Sequence, residues 1–192
     1  MTTWHWVRHG PTHQKTFVGW RDVPADLSDA AQIARLNAHL PNKALLISSD
    51  LIRASATADA LSKGRERLPN QPNLREFNFG EWDDKHFDDI AKTHPDLSRA
   101  YWETPGDIAP PAGESWNQAA TRVSTVVDDL NTAHPDAHII AVAHIGVILT
   151  QVQRADTLVP EEAIGNRIEN LSVTTLHSSP DGWRVEGINH LP

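Results

Sequence analysis

TWHWVRHGPTH, residues 3–13, runs a bulky apolar segment directly into Arg8-His9-Gly10 and then a proline. Residues 3–8 have the bulky and β-branched character of a strand. Strands commonly close on Asn, Asp or Ser, residues that make local turns. A cation and an imidazole at that place need another reason. Gly10 lets the backbone approach a ligand closely, because it carries no Cβ. The segment reads either as a charged turn or as the floor of a site, and the residues elsewhere decide between the two.

Downstream, a helix is predicted over 28–40. Ser28 is placed to cap it, Ala31, Ile33, Ala34 and Leu36 supply apolar spacing, and Pro41 stops it. Ala44–Ser48 reads as a short buried strand, followed by a helix over 51–62 with Gly64 as its stop signal. After a proline-punctuated stretch, NLREFNFGEW (73–82) is extended at its start. Residues 85–104 form two short helices broken at Pro95, and TPGDIAPPAGES (104–115) is a loop. Ser115-Trp-Asn-Gln118 fits a capping box at the head of a long helix ending near Thr132. HIIAVA (138–143) is a buried strand. Helices near 145–154 and 160–165 follow, then strands at 171–177 and 183–188 joined by the turn SSPDGW. Early strands alternating with helices predict an α/β three-layer α/β/α sandwich with a mostly parallel sheet. The closing hairpin adds an antiparallel edge strand. No repeat or linker interrupts the chain, so residues 1–192 read as one domain.

Composition narrows the function. The chain has 192 residues, with 17 basic and 25 acidic side chains and a formal charge of −8. A nucleic-acid surface normally shows as a basic excess, so no nucleic-acid partner is expected. No apolar run is long enough to cross a bilayer, and no secretory signal opens the chain, so no membrane partner is expected. The absence of cysteine excludes disulfides and thiolate metal sites. Cytoplasm is the expected location, neither metal nor cofactor is called for, and no motif specifies an oligomeric state.

In open α/β sheets, ligands bind beyond the carboxyl ends of the strands. The first predicted strand ends at Arg8-His9-Gly10. SSDLIRASATA (48–58) places Arg53 one turn into the helix after the second, and HIIAVAH ends at His144. Two arginines and two histidines converge if these strands are neighbours, and helix N-termini at the same rim add free N–H groups. That set suits a phosphoryl group. Guanidinium forks match phosphate oxygens, and a neutral imidazole is a nucleophile toward phosphorus. Glu76 is the candidate proton donor for the leaving alkoxide, with Glu81 and Asp83 as nearby competitors. The spacing His5, His9, His13 is discounted as a metal-binding helical stripe, because Gly10 and Pro11 break any helix there. Trp20, Trp82, Trp102 and Trp116 are read as core or loop anchors rather than substrate walls.

The ordered set of Arg8-His9-Gly10, SS-x-L-x-RA-x-x-TA, LRE-x-x-FGEW and a late V-x-H resembles the histidine phosphatase superfamily, the phosphoglycerate mutase-like proteins. The likeness extends over nearly the whole chain, including GWRDVPADLS and PPAGES. It implies His9 as the phosphorylated nucleophile, Arg8 and Arg53 as grips on phosphate oxygens, and His144 as a second phosphate-bonding histidine. It also implies Glu76 as proton donor, with a small-molecule phosphate ester as substrate and no metal. Pro11 stands where the family more often has an acid, Lys15 where many members have a phosphate-binding asparagine, and Ile145 where a glycine commonly follows the second histidine. Of the phosphate contacts that the resemblance implies near Thr12, Gln14 and Lys15, that of Thr12 is expected to keep its place, and Lys15 can supply charge in place of the amide.

The implied activity is hydrolysis of a phosphomonoester through a phosphohistidine. FGEWDDKHFDDI and PPAGES are similar to the branch that holds the α-ribazole phosphatases. Two other readings share the phosphate-gripping residues: a phosphoglycerate mutase-type phosphoryl transferase, and a catalytically silent phosphate-ligand binding protein. The short middle segment disfavours the mutase, since only Lys85, Lys92 and Arg99 are basic between Trp82 and Glu114. Glu76 disfavours the silent binder, which needs no proton donor. A nucleotide-cofactor oxidoreductase is excluded because no Gly-x-Gly-x-x-Gly follows the first strand.

Overall fold

The computed structural model describes residues 1–192. The chain enters at β1 (Thr2–Arg8) and crosses a long loop to α1 (Ala30–His39), β2 (Leu45–Ser48), α2 (Ile52–Ala60) and β3 (Glu66–Arg67). Two 3₁₀ turns, Pro72–Leu74 and Gly80–Trp82, precede α3 (Phe87–Thr93) and α4 (Pro95–Glu103). The remainder is α5 (Trp116–Ala133), β4 (His138–Ala143), α6 (Ile145–Asp156), α7 (Pro160–Ala163), β5 (Val173–Ser179) and β6 (Gly182–His190). No helix is long and apolar enough to cross a membrane.

One six-stranded sheet runs in the order β3-β2-β4-β1-β5-β6. β4 pairs in parallel with both β1 and β2, and β3 pairs in parallel with β2. β5 is antiparallel to β1 and to β6. The closing hairpin makes the expected antiparallel edge, with β6 outermost and paired antiparallel to β5, the strand that runs against the others.

Alternation along the strands divides the interior in two. Trp4, Trp6, Ile139 and Ala141 face one way and pack with Val123 and Val127 of α5 and Val147 and Ile148 of α6. Val7, Ile140 and Val142 face the other way and meet Leu36 and Leu40 at α1 and Ala54 and Ala58 of α2. This is the expected three-layer α/β arrangement. β4 lies at the centre with every residue from Ile139 to Ala143 fully buried, which explains why HIIAVA has no polar alternation. Each buried Ile or Val of that strand contributes about 1.5–3 kcal/mol.

Local differences from the expected elements have local causes. The helix α1 starts two residues late, and Asp29 rather than Ser28 is its cap: the Asp29 carboxylate accepts from Gln32 N at 2.9 Å. Ser28 instead donates its own N–H to Asp26 at 2.9 Å. The stretch from Pro72 is a 3₁₀ turn rather than extended, with the proline at its first position. The short β3 has no apolar alternation to announce it and exists through its register with Leu45 and Leu46. The Ser115–Gln118 capping box forms as expected, with Ser115 N donating to Gln118 Oε1 at 2.8 Å.

The parallel register puts Arg8 opposite Ala143 and Ser48 opposite Val142. The chain therefore leaves β1, β2 and β4 at one rim, where His9, Ser49 and His144 follow. As a check on the cap, Asp29→Ala is expected to lower unfolding stability in urea by about 0.5–2 kcal/mol, whereas Ser28→Ala stays within about 0.5 kcal/mol of wild type.

Candidate active site

His9 continues the β1–β4 ladder by one residue, its N–H donating to Ala143 O at 3.1 Å. Asn170 Nδ2 donates to its carbonyl at 2.8 Å, so the backbone is held on both sides. The ring has one defining contact, Nδ1 to Gly10 O at 2.7 Å. A carbonyl only accepts, so Nδ1 carries the proton and Nε2 keeps a free lone pair. A Cβ on Gly10 would come within 2.6 Å of the Leu27 side chain and 3.1 Å of Asp26 O, which explains the glycine.

His144 takes the opposite tautomer. Arg53 Nε donates to its Nδ1 at 3.2 Å, which leaves the proton on Nε2. That N–H is buried without a partner in the protein, as is Arg8 Nε. The two imidazole rings meet edge to face at 5.1 Å between centroids.

Arg53, in the first turn of α2, is 1% exposed. Its other donors reach Gly19 O at 2.6 Å and Arg21 O at 3.0 Å, so the cation also gathers the long loop after β1. Arg8 Nη1 donates to Ile168 O at 2.6 Å.

Glu76 is buried, with Oε1 accepting from Phe77 N at 2.9 Å and Oε2 from Gly146 N at 3.3 Å at the start of α6. A Cβ on Gly146 would lie 2.5 Å from Oε1, so only glycine allows this approach. The Glu76 carbonyl accepts from Trp20 Nε1 at 2.8 Å and Arg122 Nη2 at 2.9 Å. Arg122 in turn forms a two-point pair with Glu114, at 3.0 and 2.5 Å, and Glu114 Oε1 accepts from Asn78 N at 2.8 Å. The segment carrying the acid is thus stapled to the head of α5. Trp20 is a loop anchor, as expected; sequence reasoning missed Arg122, because it acts on a backbone carbonyl distant in the chain.

These groups border a cavity of about 330 Å³. Arg8, His9, Thr12, Arg53 and Glu76 line it, and Gln14 does too. His144 is fully buried beside His9 and adds no surface to the cavity. Lys15 is exposed and lies outside the lining. Glu81 is exposed, and Asp83 accepts from Gly19 N and Arg21 N, so neither competes with Glu76. Ile145 is the first residue of α6, with an apolar side chain toward the cavity. Trp102 and Trp116 line the cavity rather than serving only as anchors, whereas Trp82 is core as expected. His5 bonds His138 and His13 bonds Asp26, so the histidine stripe does not assemble. No group of three or more His, Asp or Glu side chains is gathered to hold a metal ion.

Burial sets the protonation states. It pushes His9 down to about 3, helped by the Arg53 charge. His144 lies well below the usual imidazole range for the same two reasons. Burial pushes Glu76 the other way, up, against the downward pull of the Phe77 N–H, the Arg53 charge and the Gly146 N–H. With both imidazoles neutral and the carboxyl favoured in its protonated form, the two guanidiniums leave the cavity positive. Such a site can grip a phosphate dianion, offer an unprotonated ring nitrogen and release one proton.

The family model described as histidine phosphatase superfamily (branch 1) matches residues 5–191. Phosphoglycerate mutase-like protein 4 of Arabidopsis thaliana is 26% identical over 198 residues, covering 96% of this chain and 85% of that protein. Adenosylcobalamin/alpha-ribazole phosphatase of Salmonella typhimurium is 30% identical over 162 residues, covering 79% of this chain and 78% of that protein. The solved structure of YhfR from Bacillus stearothermophilus superposes with a TM-score of 0.90 at 23% identity, covering 100% of this chain and 98% of its own, a match of fold.

The shifted groups set a pH dependence of stability. His5, stacked on His138 across the sheet, is also pushed down, to about 4, chiefly by burial. Below about pH 6.5 the unfolded chain binds imidazole protons that His5, His9 and His144 refuse in the fold, so stability falls as pH drops from 6.5 toward 4. Glu76 works in the opposite sense above 4.5, because its raised value makes the fold take up a proton on acidification. Urea midpoints at about pH 7 and about pH 5 are expected to fall on acidification, and to fall further in Glu76→Gln, which lacks the opposing group. A wild-type midpoint unchanged between the two would contradict this assignment.

Proposed function

The chain belongs to the histidine phosphatase superfamily, and from that premise we propose that it hydrolyses a small phosphomonoester through a phosphohistidine at His9. The observation that carries the reading is the His9 tautomer. Its Nδ1–H is committed to Gly10 O, which leaves the Nε2 lone pair for phosphorus. Beside it stand two buried donors without protein partners, Arg8 Nε and His144 Nε2.

In the first step His9 Nε2 forms a bond to phosphorus as the ester P–O bond breaks. Glu76 passes its proton to the departing alkoxide. Arg8 and Arg53 hold the phosphoryl oxygens together with Thr12, and the His144 Nε2–H, shut off from the cavity in the free protein, is brought to the developing charge when the phosphoryl group seats against His9. In the second step the Glu76 carboxylate takes a proton from water, water oxygen bonds to phosphorus, and the P–N bond breaks. Inorganic phosphate leaves, and His9 and Glu76 return to their starting states. Arginines and an imidazole N–H supply the charge stabilisation, so the reaction needs no metal. The exposed position of Lys15 leaves it outside this set. Residues 1–192 act together as one phosphatase domain, because the contributing side chains come from β1, α2, the 73–82 segment and the residue that follows β4.

Turnover of p-nitrophenyl phosphate is expected at mildly acidic to neutral pH, undiminished by EDTA. His9→Ala is expected to lose about 10³-fold or more of kcat. Glu76→Gln is expected to lose about 10²- to 10⁴-fold for substrates with poor leaving groups, and less for p-nitrophenyl phosphate, whose phenolate leaves without a proton. Equal rates for wild type and His9→Ala, or loss of activity with chelator, would refute the assignment.

A further inference from the structure

The wall of the cavity above the phosphate floor is made of aromatic rings that hold one another. Phe17 lies 5.1 Å from Phe79 and 5.8 Å from Trp102, nearly parallel to the latter at 13°. Trp102 meets Tyr101 edge to face at 4.9 Å. Rings fixed by such contacts form a pre-set apolar surface. Ten of the nineteen lining residues are hydrophobic, and the only charged side chains among them, besides the neutral imidazole of His9, are Arg8, Arg53 and Glu76.

The charge inventory discriminates between substrates. Both lining cations lie with the catalytic set, where the phosphate is held. Lys15 is outside the lining, and Arg21 is occupied by Asp83 and Asp84 at 3.8 and 3.2 Å. A carboxylate or second phosphate on the leaving group would find no counter-ion in this wall, only neutral donors such as the unpartnered Tyr101 Oη–H and Trp102 Nε1–H, and a charge buried without an opposite charge is unfavourable away from water. An ammonium would find only Glu76, which holds the proton for the leaving group. A flat uncharged ring meets none of these obstacles and gains from stacking. The volume of about 330 Å³ falls at the small end of ligand sites, roughly 300–1,000 Å³.

We infer that the substrate is a monophosphate ester whose leaving group is an uncharged aromatic or similarly flat apolar alcohol, stacked on Trp102 and Phe17. The inference rests on the phosphatase reading of the floor, but its test is made in binding. In the His9→Ala protein, which cannot form the phosphohistidine, 1-naphthyl phosphate is expected to bind about tenfold or more tightly than O-phosphoserine or 3-phosphoglycerate. Trp102→Ala in that background is expected to remove most of the difference, and Trp102→Phe to restore it. Phe17→Leu serves as a second probe of the wall, with circular dichroism confirming that each variant is folded. Phosphoserine or phosphoglycerate binding as tightly as the naphthyl ester would overturn the inference. So would a preference unchanged in both wall variants. Either result leaves p-nitrophenyl phosphate turnover by the wild type untouched. An inert wild type, in contrast, would defeat the phosphatase reading while the binding preference still decided the ligand class.

Discussion

A guanidinium buried to 1% exposure without a carboxylate bonded to it is the constraint around which the site is arranged. Arg53 is satisfied by neutral acceptors alone: the carbonyls of Val18, Gly19 and Arg21, and one nitrogen of His144. Each of these contacts does a second job. The carbonyls draw the unstructured segment after β1 over the rim, and the imidazole contact selects the tautomer of His144. Desolvating a charge costs several kcal/mol when no opposite charge is bonded to it. In the proposed reaction the phosphate ester relieves that cost. The same positive charge, together with burial, keeps His9 unprotonated, and so available as a nucleophile.

Glu76 shows the complementary solution for a buried acid. Its carboxyl meets two backbone N–H groups, one of them at the start of α6, while burial favours the protonated form. Opposing influences of this kind set a carboxylic acid to hold a proton and also to survive its loss, which a donor that later becomes a base requires. Its position is secured from behind. Trp20 and Arg122 both donate to its carbonyl, Glu114 fixes Arg122, and Arg75 lies 5.0 Å over the Trp20 ring while paired with Asp50. The acid stands on a loop, but the loop is braced against α5 and against the segment that Arg53 gathers.

How much of this was legible in the chain depended on whether the signal was local. HIIAVA announced a strand buried on both faces, Ser115–Gln118 announced a helix start, and Arg8-His9-Gly10 marked the strand end at the rim where His9 and His144 meet. Each is a short pattern whose meaning comes from backbone period or capping geometry. Asp29 against Ser28 was a near miss of one residue, settled by where the helical hydrogen bonds begin. β3 left no trace, since two polar residues carry no periodicity. Arg122 and the cavity-facing position of Trp102 were also invisible, because nothing near them in the chain states which distant carbonyl or ring they meet.

The sequence by itself therefore determined the layer architecture, the order of the elements and the identity of the groups at the strand ends, all of which follow from spacing along the backbone. Only the tertiary structure decided which nitrogen of each imidazole carries the proton, that Lys15 lies outside the cavity lining while Trp102 is part of it, and that burial drives His9 and Glu76 in opposite directions. Protonation, accessibility and wall chemistry depend on neighbours brought together through space. Their contacts span 91 residues from Arg53 to His144 and 70 from Glu76 to Gly146, distances along the chain at which no local pattern survives.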